Sequence, residues 1–203
     1  MIQRIAIPFP QWCDQVMSSM EEYVFIDTET TGFDGDIVEI SIGDPQGNIL
    51  YDSLLRPACP ISEGAMAVHR ITEEMVSAAP CLNEEWPEIY KRIKGKKLIA
   101  WNAKFDSGRL KHAMAAHNVP AREFEWYCAM LEYTRYGNFQ KWVKLQEACL
   151  YQGMEFIQNH RALGDVLEMI EVVKAVAIKH VTNKIARKYL FIGPDLQPMD
   201  TRD

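Results

Sequence analysis

The sequence predicts an α/β protein with one mixed β-sheet, in which an N-terminal antiparallel meander of three strands is flanked by helices. Three short apolar runs near the start of the chain are separated only by turn residues. Strands joined so closely pair antiparallel, because a parallel pair needs a longer crossover connection. Beyond residue 57, helical and strand-like segments alternate, which is typical of a sheet with helices packed on its faces.

The meander is the clearest local pattern. Compact runs of β-branched and aromatic residues predict its three strands at residues 23–26, 37–42 and 49–55. Residues 31–36 and 44–48 are rich in glycine, asparagine, aspartate and proline and are therefore expected to form the turns. The preceding segment, residues 10–22, is ambiguous and fits at most one short helix.

The second half of the chain is predicted to be mainly helical. Strands are expected over residues 97–101 and 123–126, and helices over residues 64–79, 83–93, 103–117, 128–136 and 143–153. A last, long helix begins close to His160. Its apolar residues recur every three or four positions and predict a stripe that faces the core, formed by Val166, Met169, Ile170, Val173, Val176, Ala177 and Val181.

Composition excludes several classes of protein. The chain of 203 residues is 48% apolar, which favours one globular domain with a real core over a disordered or disulfide-stapled chain. Its five cysteines are odd in number and contain no CxxC motif, so reduced thiols are expected. No stretch approaches the roughly 20 apolar residues of a membrane helix. We therefore expect a cytoplasmic protein that does not associate with a membrane.

The net charge is acidic, with 22 Lys plus Arg against 28 Asp plus Glu, or −6. Such a chain rarely coats nucleic acid non-specifically, because that mode of binding depends on many phosphate contacts. Carboxylates that bind divalent metal ions make the net charge of the chain more negative, but the bound ions neutralise them, so they would not repel a nucleic acid. Acidity alone therefore leaves a nucleic-acid substrate open.

Asp27 and Glu29 follow the strand predicted at residues 23–26. Side chains two positions apart on a strand face the same way, so both carboxylates can point to one place. Adjacent carboxylates repel unless a cation lies between them or one is protonated. Oxygen ligands of this kind suit Mg²⁺ or Mn²⁺. The alternative is a solvated turn with spare acids.

Two further places hold candidate groups. Asp106 falls in the first turn of a predicted helix, where the helix dipole favours a carboxylate; the alternative is an ordinary helix-start aspartate. His160 and Asp165 are five positions apart, or about 140° around a helix axis. They converge only if His160 lies on the approach to the helix, which the compliant Gly164 would allow. Otherwise His160 is an ordinary surface histidine.

These places belong to three strings, VFIDTETTG, LIAWNAKFD and HRALGD, which occur once each and in this order. The strings resemble the motifs of the DEDDh group of DnaQ-like 3′–5′ exonucleases, which share the ribonuclease H-like fold. The resemblance spans Val24 to Asp165. Arg161 stands where a sister group has a catalytic tyrosine, so the histidine variant is indicated. The string HRIT at residues 69–72 is similar to a His-x-Ile-Thr segment that many members carry.

The resemblance implies phosphodiester hydrolysis with two Mg²⁺ ions, for which Mn²⁺ can substitute. Asp27, Glu29 and Asp165 would hold the first ion. Asp27 would bridge to the second ion, and Asp106 would complete its shell directly or through water. His160 would take the proton from the attacking water.

The resemblance also implies substrate contacts in the same cleft. The residues expected to make them are Thr28, Thr30, Phe33, His69, Trp101, Asn102 and Phe105. For each of them the alternative is a structural role, as a turn residue, an aromatic residue of the core or a histidine whose hydrogen bonds are made within the protein. Trp101 departs from the family, which often has histidine or tyrosine before the Asn-Ala pair. Its indole could stack on a base or simply pack in the protein.

The expected organisation is an exonuclease domain over residues 23–190, with an N-terminal extension at residues 1–22 and a C-terminal tail at residues 191–203. We expect removal of nucleoside monophosphates from 3′ ends, with single-stranded DNA favoured over RNA. One alternative is an exoribonuclease similar to oligoribonucleases, because no residue that senses a 2′-hydroxyl can be identified. Another is a catalytically silent polymerase partner. The sequence supports neither a protein partner nor a homo-oligomer.

Overall fold

The computed structural model describes residues 2–19, 21–155 and 160–190, with side chains described as far as residue 185. The predicted tail at residues 191–203 lies outside the described residues. The strands are β1 (Ile2–Gln3), β2 (Tyr23–Thr30), β3 (Ile37–Gly43), β4 (Ile49–Leu54), β5 (Lys97–Ala100) and β6 (Glu125–Cys128). The helices are α1 (Phe9–Ser18), α2 (Glu63–His69), α3 (Glu73–Ser77), α4 (Leu82–Ile93), α5 (Ala103–Ala116), α6 (Ala129–Tyr136), α7 (Leu145–Gln152) and α8 (Ala162–Leu190).

The described strands form one sheet of six strands in the order β1-β6-β5-β2-β3-β4. The predicted meander is confirmed, because β2 pairs with β3 and β3 with β4 in antiparallel register. The pairs β2–β5, β5–β6 and β1–β6 are parallel. The sheet is therefore mixed, and the predicted α/β fold class is confirmed. Among the described helices, none combines the length and apolar character needed to cross a membrane.

Strand β2 is longer than predicted and ends at Thr30 rather than at Ile26. Its polar second half is held by pairing with β3, in which Asp27 lies opposite Ser41 and Glu29 opposite Glu39. The alternating polar residues had suggested the end of a strand. Backbone pairing continues through them, so the first two acids lie on the strand itself.

The segment predicted as one helix over residues 64–79 is instead two short helices, α2 and α3. Arg70 ends α2 in the left-handed conformation, with φ at 61°. Thr72 then starts α3, because its side chain accepts a hydrogen bond from the Met75 backbone N–H at 3.3 Å. Such a cap satisfies a backbone donor at a helix start. Strand β6 also begins two residues later than predicted.

The segment set apart as an N-terminal extension packs with the rest of the fold. Ile2 and Gln3 pair with Trp126 and Tyr127 of β6. Helix α1 buries one face in the main hydrophobic core through Phe9, Trp12, Cys13 and Val16. The boundary proposed at residue 22 stays a prediction, but residues before it contribute to the same core.

Helix α8 lies against β2 and β3. Six of the seven residues of its predicted stripe are buried, whereas Val181 is 37% exposed. Gly43 permits close approach at the start of this helix, because a Cβ there would lie 2.9 Å from Val166 Cγ1. The absence of a side chain thus lets the first turn of α8 sit directly on the sheet.

Candidate active site

Three carboxylates meet where β2 faces the first turn of α8. Asp27 and Glu29 come from β2, and Asp165 comes from α8. Each offers one oxygen, and these three oxygens lie within 4.8 Å of one another. Because residues two apart on a strand share a face, the strand aims both of its acids at the helix.

Asp106 supplies the fourth predicted acid from the first turn of α5. Its side chain is buried, and its Oδ1 accepts a hydrogen bond from Thr28 Oγ1 at 2.9 Å. Thr28 lies between the two acids of β2, so this bond ties α5 to the same strand. Thr28 therefore orients the Asp106 carboxylate, and the contact with substrate that the sequence suggests for it stays a prediction.

Burial and mutual repulsion shift the pKa values of these acids upwards. The Asp27 pKa lies well above its ordinary value because of burial, followed by the charges of Asp106, Asp165 and Glu29. Burial, with the charge of Asp165, raises the Glu29 pKa to about 8. Burial raises the Asp106 pKa to about 7, although the Thr28 hydrogen bond lowers it. Burial likewise raises the Asp165 pKa to about 6. The site therefore suits divalent cations, which would offset the repulsion and prefer hard oxygen ligands.

His160 precedes α8 and has a backbone φ of 41°, in the left-handed region. Its positive charge would lower the pKa of Asp165, so the two side chains act on each other electrostatically. Histidine is among the non-glycine residues that adopt this conformation most readily. The structure thus places His160 on the approach to the helix and Asp165 in its first turn, as their spacing required.

Glu39 and Arg161 also lie beside the acids, although the sequence predicts no role for either of them there. Glu39 is 2% exposed on β3, opposite Glu29. Its carboxylate accepts hydrogen bonds from Arg161 Nε at 2.9 and 3.0 Å and from the Ala162 backbone N–H at 2.9 Å. The sequence feature that points to Glu39 is that it is the one charged residue of a mainly apolar strand, since a buried charge needs a partner.

His69 is buried and both of its ring nitrogens are engaged. Nδ1 accepts a hydrogen bond from the Ile71 backbone N–H at 3.0 Å, and Nε2 lies 3.1 Å from the Thr30 carbonyl oxygen. Nε2 must therefore carry the ring hydrogen and donate a hydrogen bond to the Thr30 carbonyl oxygen. Burial lowers the His69 pKa, which favours this neutral form. His69 holds the end of β2 in place beside the acids.

A cleft of about 480 Å³ opens beside Glu29, and we call it the terminal cleft. Of the predicted substrate contacts it brings together Thr30, Phe33, His69 and Phe105. Thr30 is largely buried, and its Oγ1 donates to the Gly32 carbonyl oxygen at 2.8 Å. Phe33 is 81% exposed and its ring lies 5.9 Å from that of Phe105.

An adjacent cleft of about 440 Å³, the outer cleft, contains the predicted contact Asn102. It also contains four residues that the sequence motifs do not indicate, namely Asp34, Lys104, Arg109 and Trp142. Phe33 and Phe105 line both clefts. Trp101 lines neither of them. It is 7% exposed, and its Nε1 donates to the Val143 carbonyl oxygen at 3.1 Å, so it packs in the interior.

Comparison with known proteins gives concordant matches. Residues 24–173 match a family described as exonuclease. The chain is 32% identical over 176 residues to an uncharacterized exonuclease of Escherichia phage 186, with 77% of this chain and 89% of that protein covered. It is 36% identical over 150 residues to exodeoxyribonuclease 10 of Escherichia coli, with 69% of this chain and 61% of that protein covered.

Solved structures agree with these matches. Exonuclease X in complex with 5′ overhanging duplex DNA aligns with a TM-score of 0.59 and 31% identity, covering 81% of this chain and 93% of that one. The nuclease domain of 3′hExo, a DEDDh family member bound to rAMP, aligns with a TM-score of 0.59 and 18% identity, covering 82% and 94%. The second likeness concerns the fold alone.

Proposed function

Because the chain belongs to the DnaQ-like exonucleases, a family of phosphodiester hydrolases with a ribonuclease H-like fold, we propose that it removes nucleoside monophosphates from the 3′ end of single-stranded DNA. The observation that carries this proposal is the group of four carboxylates between β2, α5 and α8, of which Asp106 is buried and the other three are partly buried. Burial and mutual repulsion raise the pKa values of these four acids, so placing them together does not stabilise the fold by itself. Binding of divalent cations would offset the repulsion and explains why they lie together.

Two Mg²⁺ ions fit this donor set, and Mn²⁺ would serve in their place. Asp27, Glu29 and Asp165 would hold one ion, since their oxygens already lie within 4.8 Å of one another. Asp27 and Asp106 would hold the other. Ions in such sites neutralise charge on the scissile phosphate and provide a nucleophile at neutral pH.

His160 is proposed as the general base that takes a proton from the attacking water. Histidine is the residue type best suited to accept a proton near neutral pH. Its position beside Asp165 supports this role. Glu39 and Arg161 would position it, because they fix the backbone immediately after it.

The terminal cleft is proposed to receive the 3′-terminal nucleotide. It adjoins Glu29, and the exposed ring of Phe33 offers a flat apolar surface against a base. Thr30, positioned by His69, would contact the nucleotide through its backbone or side chain. DNA is favoured over RNA because the relatives at 30% identity or more include an exodeoxyribonuclease and an exonuclease solved with DNA.

The test is to offer 5′-labelled DNA and RNA oligonucleotides of the same sequence to the protein, with Mg²⁺ and then with excess EDTA. We expect a ladder that shortens from the 3′ end, stronger on DNA, and lost in EDTA. Asp27→Asn is the matched control for a contaminating nuclease. Faster shortening of RNA would favour the exoribonuclease alternative, and a chelator-resistant ladder would contradict the metal-dependent mechanism. No cleavage of either strand would favour the silent module.

A further inference from the structure

We propose that the outer cleft is a second binding site for the substrate strand, in which Trp142 stacks on a base upstream of the terminal nucleotide. This inference rests on the proposed function, since it concerns how the same active site binds the nucleotides upstream of the 3′ end. It assigns a role to Trp142, Lys104 and Lys141, none of which the catalytic chemistry needs.

Trp142 presents a large aromatic side chain to solvent. Its side chain is 71% exposed, whereas Trp12, Trp101 and Trp126 are each 7% exposed or less. Leaving a large indole in water forgoes the favourable free energy that burial of an aromatic ring provides. An exposed tryptophan beside an active site is therefore most readily explained by a ligand that covers it.

The segment that carries this exposed ring is anchored to the protein interior. Val143, the next residue, is 3% exposed. Its backbone N–H donates to Thr134 Oγ1 at 3.2 Å, and its carbonyl oxygen accepts from Trp101 Nε1 at 3.1 Å. The buried indole of Trp101 thus anchors the segment that presents the exposed indole of Trp142. A binding side chain held by such supporting hydrogen bonds is preorganised.

The outer cleft adjoins the terminal cleft beside the acids, and the two clefts share lining residues. Glu29 lines the terminal cleft, and Trp142 lines the outer cleft. Phe33 and Phe105 line both, and their rings lie 5.9 Å apart. A path bordered by aromatic rings therefore leads from the carboxylates to Trp142. A strand whose 3′ end lies at Glu29 can follow that path with its upstream nucleotides.

The outer cleft and the surface beside it carry positive charge. Lys104 and Arg109 line the outer cleft, and Lys141 lies beside Trp142 on the adjoining surface. Asp34, which also lines the cleft, is paired with Arg109 at 3.6 Å. The cleft is thus cationic in a chain whose net charge is −6. Aromatic faces combined with cations are the arrangement by which proteins bind single strands with little sequence preference.

The experiment compares Trp142→Ala and Trp142→Phe with the unaltered protein on two thymidine substrates, a dinucleotide and a decamer, with Mg²⁺. The dinucleotide has one nucleotide beyond the terminal one and the decamer has nine, so we expect only the decamer to fill the terminal cleft and also cover Trp142. For Trp142→Ala we expect KM on the decamer to rise about 5- to 150-fold, the range for loss of one base–aromatic stack. We expect kcat/KM on the dinucleotide to be unchanged, and Trp142→Phe to recover most of the decamer KM.

The control variant is Ile178→Ala, which removes an apolar side chain that is 57% exposed on α8 and lines neither cleft. It should leave both substrates unaffected. Trp142→Ala should also keep the thermal midpoint of the unaltered protein, because its ring is largely in water. Equal losses on both substrates would indicate distortion of the active site and would overturn the proposal.

A second measurement tests the cations. The logarithm of KM on the decamer should rise linearly with the logarithm of salt concentration, and Lys141→Gln should reduce that slope by about 0.7, the value for one phosphate contact on a single strand. If the unaltered protein shortens neither substrate, the proposed function fails. If it shortens both while Trp142→Ala keeps the unaltered decamer KM, the proposed function stands and the outer-cleft site is refuted.

Discussion

Arg161 and Glu39 form an ion pair that joins the middle strand of the meander to the start of α8. The guanidinium Nε lies 2.9 and 3.0 Å from the two carboxylate oxygens, and the Arg161 Nη2 also contacts Oε1. The same carboxylate accepts the Ala162 backbone N–H. It therefore satisfies a donor at the start of the helix, where the dipole favours negative charge. The pair fixes the backbone between His160 and Asp165.

Arg161→Met is expected to destabilise the protein more than Glu39→Gln. The Glu39 side chain is 3% exposed and that of Arg161 is 38% exposed, so losing the cation leaves a buried, uncompensated carboxylate. Breaking a buried pair in this way costs about 3–5 kcal/mol. Thermal unfolding in EDTA and in Mg²⁺ measures the difference. Both variants should also lower kcat more than they raise KM. A larger loss of stability for Glu39→Gln would contradict the assignment of Glu39 as the buried partner.

The metal-free protein is expected to lose stability as the pH rises from about 5 to 8. Burial raises the pKa values of Asp165, Asp106 and Glu29 to about 6, 7 and 8, above the ~4 of unfolded acids. The folded state therefore binds more protons than the unfolded state, and the free energy of unfolding falls as these groups ionise. Mg²⁺ competes with the protons, so it should raise the thermal midpoint more at pH 8 than at pH 6. An equal rise at both values would contradict this linkage.

Asp27→Asn is expected to stabilise the metal-free protein while abolishing turnover. The Asp27 pKa is raised mainly by burial and further by the charges of Asp106, Asp165 and Glu29. The amide removes that repulsion at nearly constant volume. In EDTA at pH 8 the thermal midpoint should rise by about 2–4 °C or more. This is the shift that a gain of about 1 kcal/mol in the free energy of unfolding gives in a chain of this size. Mg²⁺ should stabilise this variant far less than the parent. Substantial remaining activity would mean that the first acid is misassigned.

The sequence could predict the fold class from local patterns, and it could predict the four candidate acids because three local strings together resemble the DEDDh motifs. Asp27 and Glu29 are two residues apart, and a strand brings them together whatever the rest of the chain does. Their strand was predicted too short, because its polar half is stabilised by pairing with β3 rather than by its own composition. Partners far apart in sequence could not be found in this way. Arg161 is 122 positions from Glu39, and Trp142 comes to Phe33 and Phe105 only through the fold.

Thr28→Val is expected to weaken metal binding without disturbing the fold. Burial raises the Asp106 pKa, and the Thr28 hydroxyl at 2.9 Å opposes that shift by stabilising the carboxylate. Valine keeps the shape of the side chain and removes the donor, so Asp106 should bind protons more readily and metal less. The Mg²⁺ concentration for half-maximal activity should rise about tenfold, as expected from loss of a hydrogen bond to a charged group. Thr28→Ser keeps the hydroxyl and should behave like the parent. If both variants behave alike, the hydroxyl has no such role.

Loss of the His160 imidazole is expected to reduce turnover by about 10²- to 10⁴-fold, the usual contribution of a general base. His160 has a φ of 41°, so His160→Ala also introduces backbone strain, whereas asparagine adopts the left-handed region readily. His160→Asn therefore removes the base with little strain, and its loss of kcat should match that of His160→Ala. Because all four carboxylates remain, Mg²⁺ affinity measured by calorimetry should be nearly unchanged in both. His112→Ala, at an exposed histidine on α5, controls for loss of an imidazole elsewhere and should retain full activity. Parent-like turnover in His160→Asn together with a defect in His160→Ala would show that the backbone conformation matters and that no proton is accepted there.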